Sequence, residues 1–224
     1  MSESSTQARQ VAWRAFASEF NAAGYTFKES DEERAPVYLL LPTGQRANRV
    51  FVVGTLTETE DVGTDGEYWR GRVVDPTGTF FIYAGQYQAD AAATLQNLEP
   101  PAYFAVVGKP RTYEPEGDDE AEGDGGHGDE VYVSITPESI SVVGGTIRDR
   151  WVAETAERTL ARLEAFPDGG KYVEMAREQY DPDLEGFQQN VVSALESLTD
   201  DGDEEKENMS DGGDEPPAEP PSSR

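Results

Sequence analysis

The sequence predicts a mainly β chain with helices: a five-stranded barrel, preceded by a helix and β-hairpin and followed by a helical region. Three observations carry this. Residues 50–113 hold closely spaced strand-like runs with one helical segment between the third and fourth. Beyond residue 146 the apolar spacing changes to that of helices. The formal net charge of −27, from 45 Asp+Glu against 18 Lys+Arg in 224 residues, lies mostly elsewhere. Residues 114–130 hold nine acids and no base, and residues 196–224 hold eleven acids and two bases. These segments carry −18 of the total and have few large apolar residues. Both are expected to be disordered, because they cannot bury enough surface to offset their ordering entropy. The candidate barrel is then nearly neutral, and the overall charge does not exclude a polyanionic ligand.

The elements follow in order. Trp13, Phe16, Phe20 and Ala23 recur at helical spacing and predict a helix over 5–23, closed by Gly24. YTFK (25–28) and VYLLL (37–41) read as a hairpin, with a turn at Pro42-Thr43-Gly44. The first barrel strand is RVFVVGTLTE (49–58), where the interior Gly54 suggests a bulge or sharp bend. EDVGTDG (60–66) is a loop and EYWRGRVV (67–74) the second strand. Asp75-Pro76-Thr77-Gly78 suits a type I turn into the third strand, TFFIYAG (79–85). QADAAATLQNL (88–98) is a short helix stopped by Pro100-Pro101. AYFAVVGKPRTY (102–113) is the fourth strand, EVYVSITP (130–137) the fifth, and SISVV (139–143) continues it or adds a sixth.

Thr146-x-x-Asp149 suggests a capping box for a helix whose face carries Val152, Ala156, Thr159, Leu163 and Phe166. Pro167-Asp168-Gly169-Gly170 ends it, and KYVEMAREQY (171–180) is a second helix. Asp181 is the expected cap of a third, with Pro182 at its first position. Leu184, Phe187, Val191, Leu195 and Leu198 form its apolar stripe.

Three strands, a helix and two more strands is the order of an OB-fold barrel; an SH3-like barrel lacks that helix. The predicted organisation is an N-terminal helix and β-hairpin packing on the barrel (1–46), an OB-fold (47–145) with a disordered acidic loop (114–130), a C-terminal helical region (146–199) and a disordered acidic tail (200–224).

Several classes are disfavoured. With no Cys, the chain has no disulfide scaffold, Cys-ligated zinc or thiol nucleophile. No apolar run approaches the roughly 20 residues of a membrane span, and MSESSTQARQ has no signal-peptide core. A soluble, cytoplasmic protein is expected. Fourteen Arg to four Lys in an acid-rich chain resembles proteins of salt-loaded halophilic cytoplasm. His127 has no ligand partners in sequence, and Asp118–Asp129 fits a calcium loop poorly. No P-loop or nucleophile motif is present, so no enzyme, cofactor or metal is expected.

Period-two alternation carries the functional expectation. In the second strand Trp69 and Val73 fall on one face and Tyr68, Arg70 and Arg72 on the other; in the third, Phe80 and Ile82 oppose Phe81 and Tyr83. The apolar set is the natural core. The outward set interleaves aromatics with arginines, the combination that stacks bases and contacts phosphates of single-stranded nucleic acid. Arg46, Arg49, Lys109 and Arg111 extend the cationic track, and Tyr87 adds an aromatic. The competing reading is that these aromatics cover the N-terminal segment and the arginines pair with acids. Phe187, Val191 and Leu195 form a candidate partner-binding stripe.

The stretches VFVVGTLTETEDVG, YWRGRVVDPTGTFFIYAGQYQ and EPPAYFAVVGKPRTY, in this order, resemble the replication protein A-associated family of haloarchaea. The resemblance spans roughly 9–165, including ERAPVYLLLPTGQRANR and RDRWVAETAERTL, and leaves out the acidic loop and tail. It implies an OB-fold that binds single-stranded DNA in replication and repair, alone or as the partner of a replication protein A-type protein. It also implies stacking aromatics on the third strand, here Phe81, Tyr83 or Tyr87.

Overall fold

The computed structural model describes residues 10–114 and 131–210, with side chains through 199. Its centre is a closed five-stranded barrel of order β4-β5-β6-β8-β7. The strands are β4 (Val50–Asp61), β5 (Trp69–Asp75), β6 (Gly78–Ala84), β7 (Ala102–Tyr113) and β8 (Tyr132–Val142). β4 pairs with both β5 and β7, and β6 runs parallel to β8. Helix α2 (Ala89–Asn97) joins β6 to β7. This is an OB-type barrel, as the order of elements predicts.

Alternation builds its core. Val52, Leu56, Val73, Phe80, Ile82, Phe104, Val106 and Ile135 are buried inside. Leu95 of α2, also fully buried, packs against this core. Of the two alternatives for 139–143, continuation of the fifth strand holds: one continuous β8 spans Tyr132–Val142. Gly54 marks no bulge: a Cβ there would stand 2.4 Å from the Val74 carbonyl oxygen, so glycine admits the close approach of β5. The register break lies one turn of pleat later, between Leu56 and Glu58.

The N-terminal prediction needs correction. Of the expected helix over 5–23, residues 5–9 lie outside the described residues, and among residues 10–23 only α1 (Ala17–Asn21) is helical; Phe16 is extended, at φ −72° and ψ 158°. Trp13 forms a parallel bridge with Val50, donating its N–H to the Arg49 carbonyl and accepting from Phe51 N–H. Tertiary pairing with β4 therefore overrides the helical spacing, and Phe16 and Phe20 reach different partners, Trp151 and Phe80. Asp75 secures α1 to the β5–β6 turn: Oδ2 accepts from Ala17 N–H, while Oδ1 accepts from Thr77 and Gly78 N–H and the Thr77 hydroxyl. The expected hairpin is the start of a three-stranded sheet, β1 (Thr26–Lys28), β2 (Val37–Leu40) and β3 (Arg46–Ala47).

Helix α3 (Gly145–Ala165) packs on β4 and on α5 (Leu184–Ser210). Its indole Trp151 donates to the Phe51 carbonyl. The predicted capping box does not form; Gly144 caps α3 with no side-chain bond. Helix α4 (Lys171–Tyr180) has its expected bounds and packs Tyr172 and Tyr180 against the β1–β2 side. Asp181 adopts the left-handed conformation at its end, and Asp183 caps α5 instead, accepting from Gly186 N–H. Pro182 therefore stands outside the helix. α5 continues to Ser210, into the stretch read as tail. Among the described residues no helix is long and apolar enough to cross a membrane.

A buried polar node ties these layers. Arg162 of α3 donates to Glu19 of α1 at 2.6 Å and to the Thr43 hydroxyl at 2.8 Å, while the Thr43 hydroxyl itself donates to Glu19. Glu19 is 1% exposed, so its charge relies on these partners.

Candidate nucleic-acid interface

Strand register decides which outward residues stand together. Across β5 and β6, Arg72 faces Phe81 and Arg70 faces Tyr83. β6 and β8 pair at Ile82 and Ile135; carried one residue either way, that parallel register puts Phe81 level with Ser134 and Tyr83 level with Thr136. β7 then places Arg111 opposite Ser134 and Lys109 opposite Thr136. On the other flank, β4 places Glu58 opposite Arg72 and Glu60 opposite Arg70. Two rows result: Glu58–Arg72–Phe81–Ser134–Arg111 and Glu60–Arg70–Tyr83–Thr136–Lys109. Aromatics occupy the middle, Lys109 and Arg111 one edge and carboxylates the other, with Arg70 and Arg72 between the carboxylates and the aromatics.

α1 packs on the Phe80 side, not over this face. Phe81, Tyr68 and Tyr87 are exposed, Tyr87 at 88%. Tyr68 and Tyr83 stack with ring centroids 5.6 Å apart and planes 20° apart. The Arg70 guanidinium lies 6.0 Å from the Phe81 ring centroid and donates to Glu60 at 2.5 Å. Arg72, Lys109 and Arg111 make no ion pair among the described residues.

The β4–β5 loop is built to hold Tyr68. Asp61 Oδ1 accepts N–H bonds from Tyr68 and Gly63, each at 3.0 Å, and these hold its carboxyl below the usual aspartate value. Burial, then the neighbouring Tyr83, pushes the Tyr68 hydroxyl up. A Cβ at Gly85 would meet the Tyr68 ring at 2.9 Å, so only glycine leaves room for it. Between this loop and the start of α2 lies an open cleft of about 700 Å³, bordered by Tyr68, Tyr87, Gln88 and Gln96. A second, of about 500 Å³, lies beyond Tyr87 and is bordered by Lys109, Arg111 and Thr136. Tyr87 borders both.

Two members of the expected cationic track are elsewhere. Arg46 lies on β3, paired with Glu29 and held over Tyr38 and Tyr172 at 4.6 and 5.1 Å. Arg49 is paired with Glu138 and its side chain is 12% exposed. Both serve the fold, because acids distant in sequence reach them. The partner stripe also dissolves: Val191 is 1% exposed in the main core and Phe187 is half-buried, leaving Leu195 at 36%. Sequence reasoning missed Tyr113 and Tyr132, an exposed cross-strand pair at the end of β7 and the start of β8. The period-two run Lys109, Arg111, Tyr113 was the available signal. His127 and the Asp118–Asp129 segment lie outside the described residues.

Ring faces flanked by cations suit a flexible polyanion with accessible bases. No protein-family model and no curated protein matches the chain. Among solved structures, the mitochondrial single-stranded DNA binding protein Rim1 of S. cerevisiae aligns at 17% identity and a TM-score of 0.30, over 43% of this chain and 92% of that one. The OBody NL8, solved bound to hen egg-white lysozyme, aligns at 16% and 0.31, over 43% and 93%. Asparaginyl-tRNA synthetase of Pyrococcus horikoshii aligns at 12% and 0.30, over 53% of this chain and 29% of the enzyme. The OB assignment rests on the strand order of the barrel itself.

Proposed function

We propose that this chain is a non-catalytic single-stranded DNA-binding protein of the replication protein A-associated type, acting in DNA replication and repair in a salt-loaded cytoplasm. The observation that carries this is the pair of cross-strand rows on the outward face. They align Phe81 and Tyr83 with Arg72, Arg70, Arg111 and Lys109. Bases stack on Phe81, Tyr83 and the exposed Tyr87, phosphates meet Lys109 and Arg111 on β7, and Arg72 flanks the bases from β5. In molar salt the counterion-release contribution shrinks, and stacking carries more of the affinity. A replication protein A-type protein is the partner on the same strand.

The test is fluorescence polarisation of a labelled oligothymidylate titrated with the full chain in molar KCl. Saturable binding that Tyr83→Ala weakens supports the reading. Absence of saturable binding by the unaltered chain overturns it.

A further inference from the structure

Building on that single-strand reading, we infer that Glu58 and Glu60 make the face selective for one strand over two. The register break between Leu56 and Glu58 is the origin. Strict alternation from the buried Val52 and Leu56 would turn Glu58 and Glu60 inward. The extra residue reverses the parity, and both carboxylates stand exposed on the outward rows.

The rows are therefore polar in a directional sense. From the central aromatics of β6, Lys109 and Arg111 lie across β8 on one side, and Glu58 and Glu60 lie across β5 on the other. Neighbouring strands are about 4.8 Å apart, so each edge stands about 10 Å or less from the aromatics. A single strand satisfies this face in one orientation, with bases over β6 and phosphates toward β7. In a duplex the second backbone flanks the base pair on the side opposite the first. It would fall on the β4 edge, beyond Arg70 and Arg72, where Glu60 already holds Arg70 and Glu58 stands opposite Arg72 but makes no ion pair among the described residues. Like charges brought together there cost the duplex, while a single strand leaves that edge to water.

The experiment compares the full chain with Glu58→Gln/Glu60→Gln and with Glu157→Gln/Glu164→Gln, which removes the same charge from exposed positions of α3. Each is titrated with oligothymidylate and with a blunt duplex, at the lowest KCl that keeps the native circular dichroism spectrum. The β4 variant is expected to gain about tenfold more affinity for duplex than for single strand. The α3 variant gains equally for both. In molar KCl the selective gain disappears, since the screening length falls to about 3 Å. Equal gains for the two ligands in the β4 variant overturn the inference. Failure of the unaltered chain to bind oligothymidylate is a separate result, and overturns the proposed function instead.

Discussion

Removing the Tyr83 ring is the sharpest probe of the outward face. Tyr83 sits in the row between Arg70 and Thr136, with its ring stacked on Tyr68 at 5.6 Å. Tyr83→Ala deletes one base platform, worth about 1–3 kcal/mol, and takes from Tyr68 a partner worth about 0.5–1.5 kcal/mol in ordering the face. The first figure alone corresponds to a roughly five- to 150-fold rise in Kd. Arg70→Ala is the comparison. Glu60 already neutralises Arg70, and such a half-exposed pair is worth about 0–1 kcal/mol, so its loss costs less than about fivefold. In molar KCl this smaller effect shrinks further. Tyr83→Phe keeps the ring and stays near the unaltered affinity. The assay is an oligothymidylate titration at low and molar KCl, with circular dichroism confirming the fold. If Arg70→Ala costs as much as Tyr83→Ala in molar KCl, or Tyr83→Phe costs as much as Tyr83→Ala, stacking is not the source of affinity.

Three further outcomes are expected. Arg162→Ala strands the buried Glu19 carboxylate and lowers stability by about 3–5 kcal/mol in urea unfolding, whereas Glu19→Leu/Arg162→Leu, which leaves no unpaired charge, loses less. Burial pushes the Tyr180 hydroxyl, which accepts from Tyr25 N–H and donates to the Leu40 carbonyl, up to about 12 from 10. Its stabilising contribution is complete below pH 10 and is lost as pH rises toward 12. Tyr180→Phe should flatten that part of the thermal stability–pH curve, and an unchanged slope would count against it. Asp61→Ala frees the Gly63 and Tyr68 N–H groups, loosens the β4–β5 loop and weakens oligothymidylate binding about two- to fivefold with little change in melting temperature.

Much of the barrel was legible because its signals are local. Alternation in 67–85 placed Trp69, Val73, Phe80 and Ile82 inside and Tyr68, Arg70, Arg72, Phe81 and Tyr83 outside; Val73, Phe80 and Ile82 are buried and Tyr68, Arg72 and Phe81 exposed, while Trp69, Arg70 and Tyr83 are half-buried. The strand over 102–113 and the helix over 171–180 have their expected bounds. Of the helix expected over 5–23, the described part shortens to Ala17–Asn21 because Trp13 gives its backbone to β4, a contact between segments far apart in sequence. Arg46 and Arg49 were indistinguishable from Arg72 in sequence; the acids that claim them, Glu29 and Glu138, come from other elements. The stripe on α5 was real in spacing, but Val191 spends it within the protein's own core.

By itself the sequence determined the class of barrel, the faces of its strands and the near-neutrality of the segment that forms it. These follow from side-chain period, turn chemistry and composition, which act over a few residues. Only the tertiary structure decided which side chains share a row, which arginines remain free, and that a one-residue break turns Glu58 and Glu60 outward. Register and ion pairing depend on where distant segments meet, and a one-residue slip exchanges the two faces of a strand.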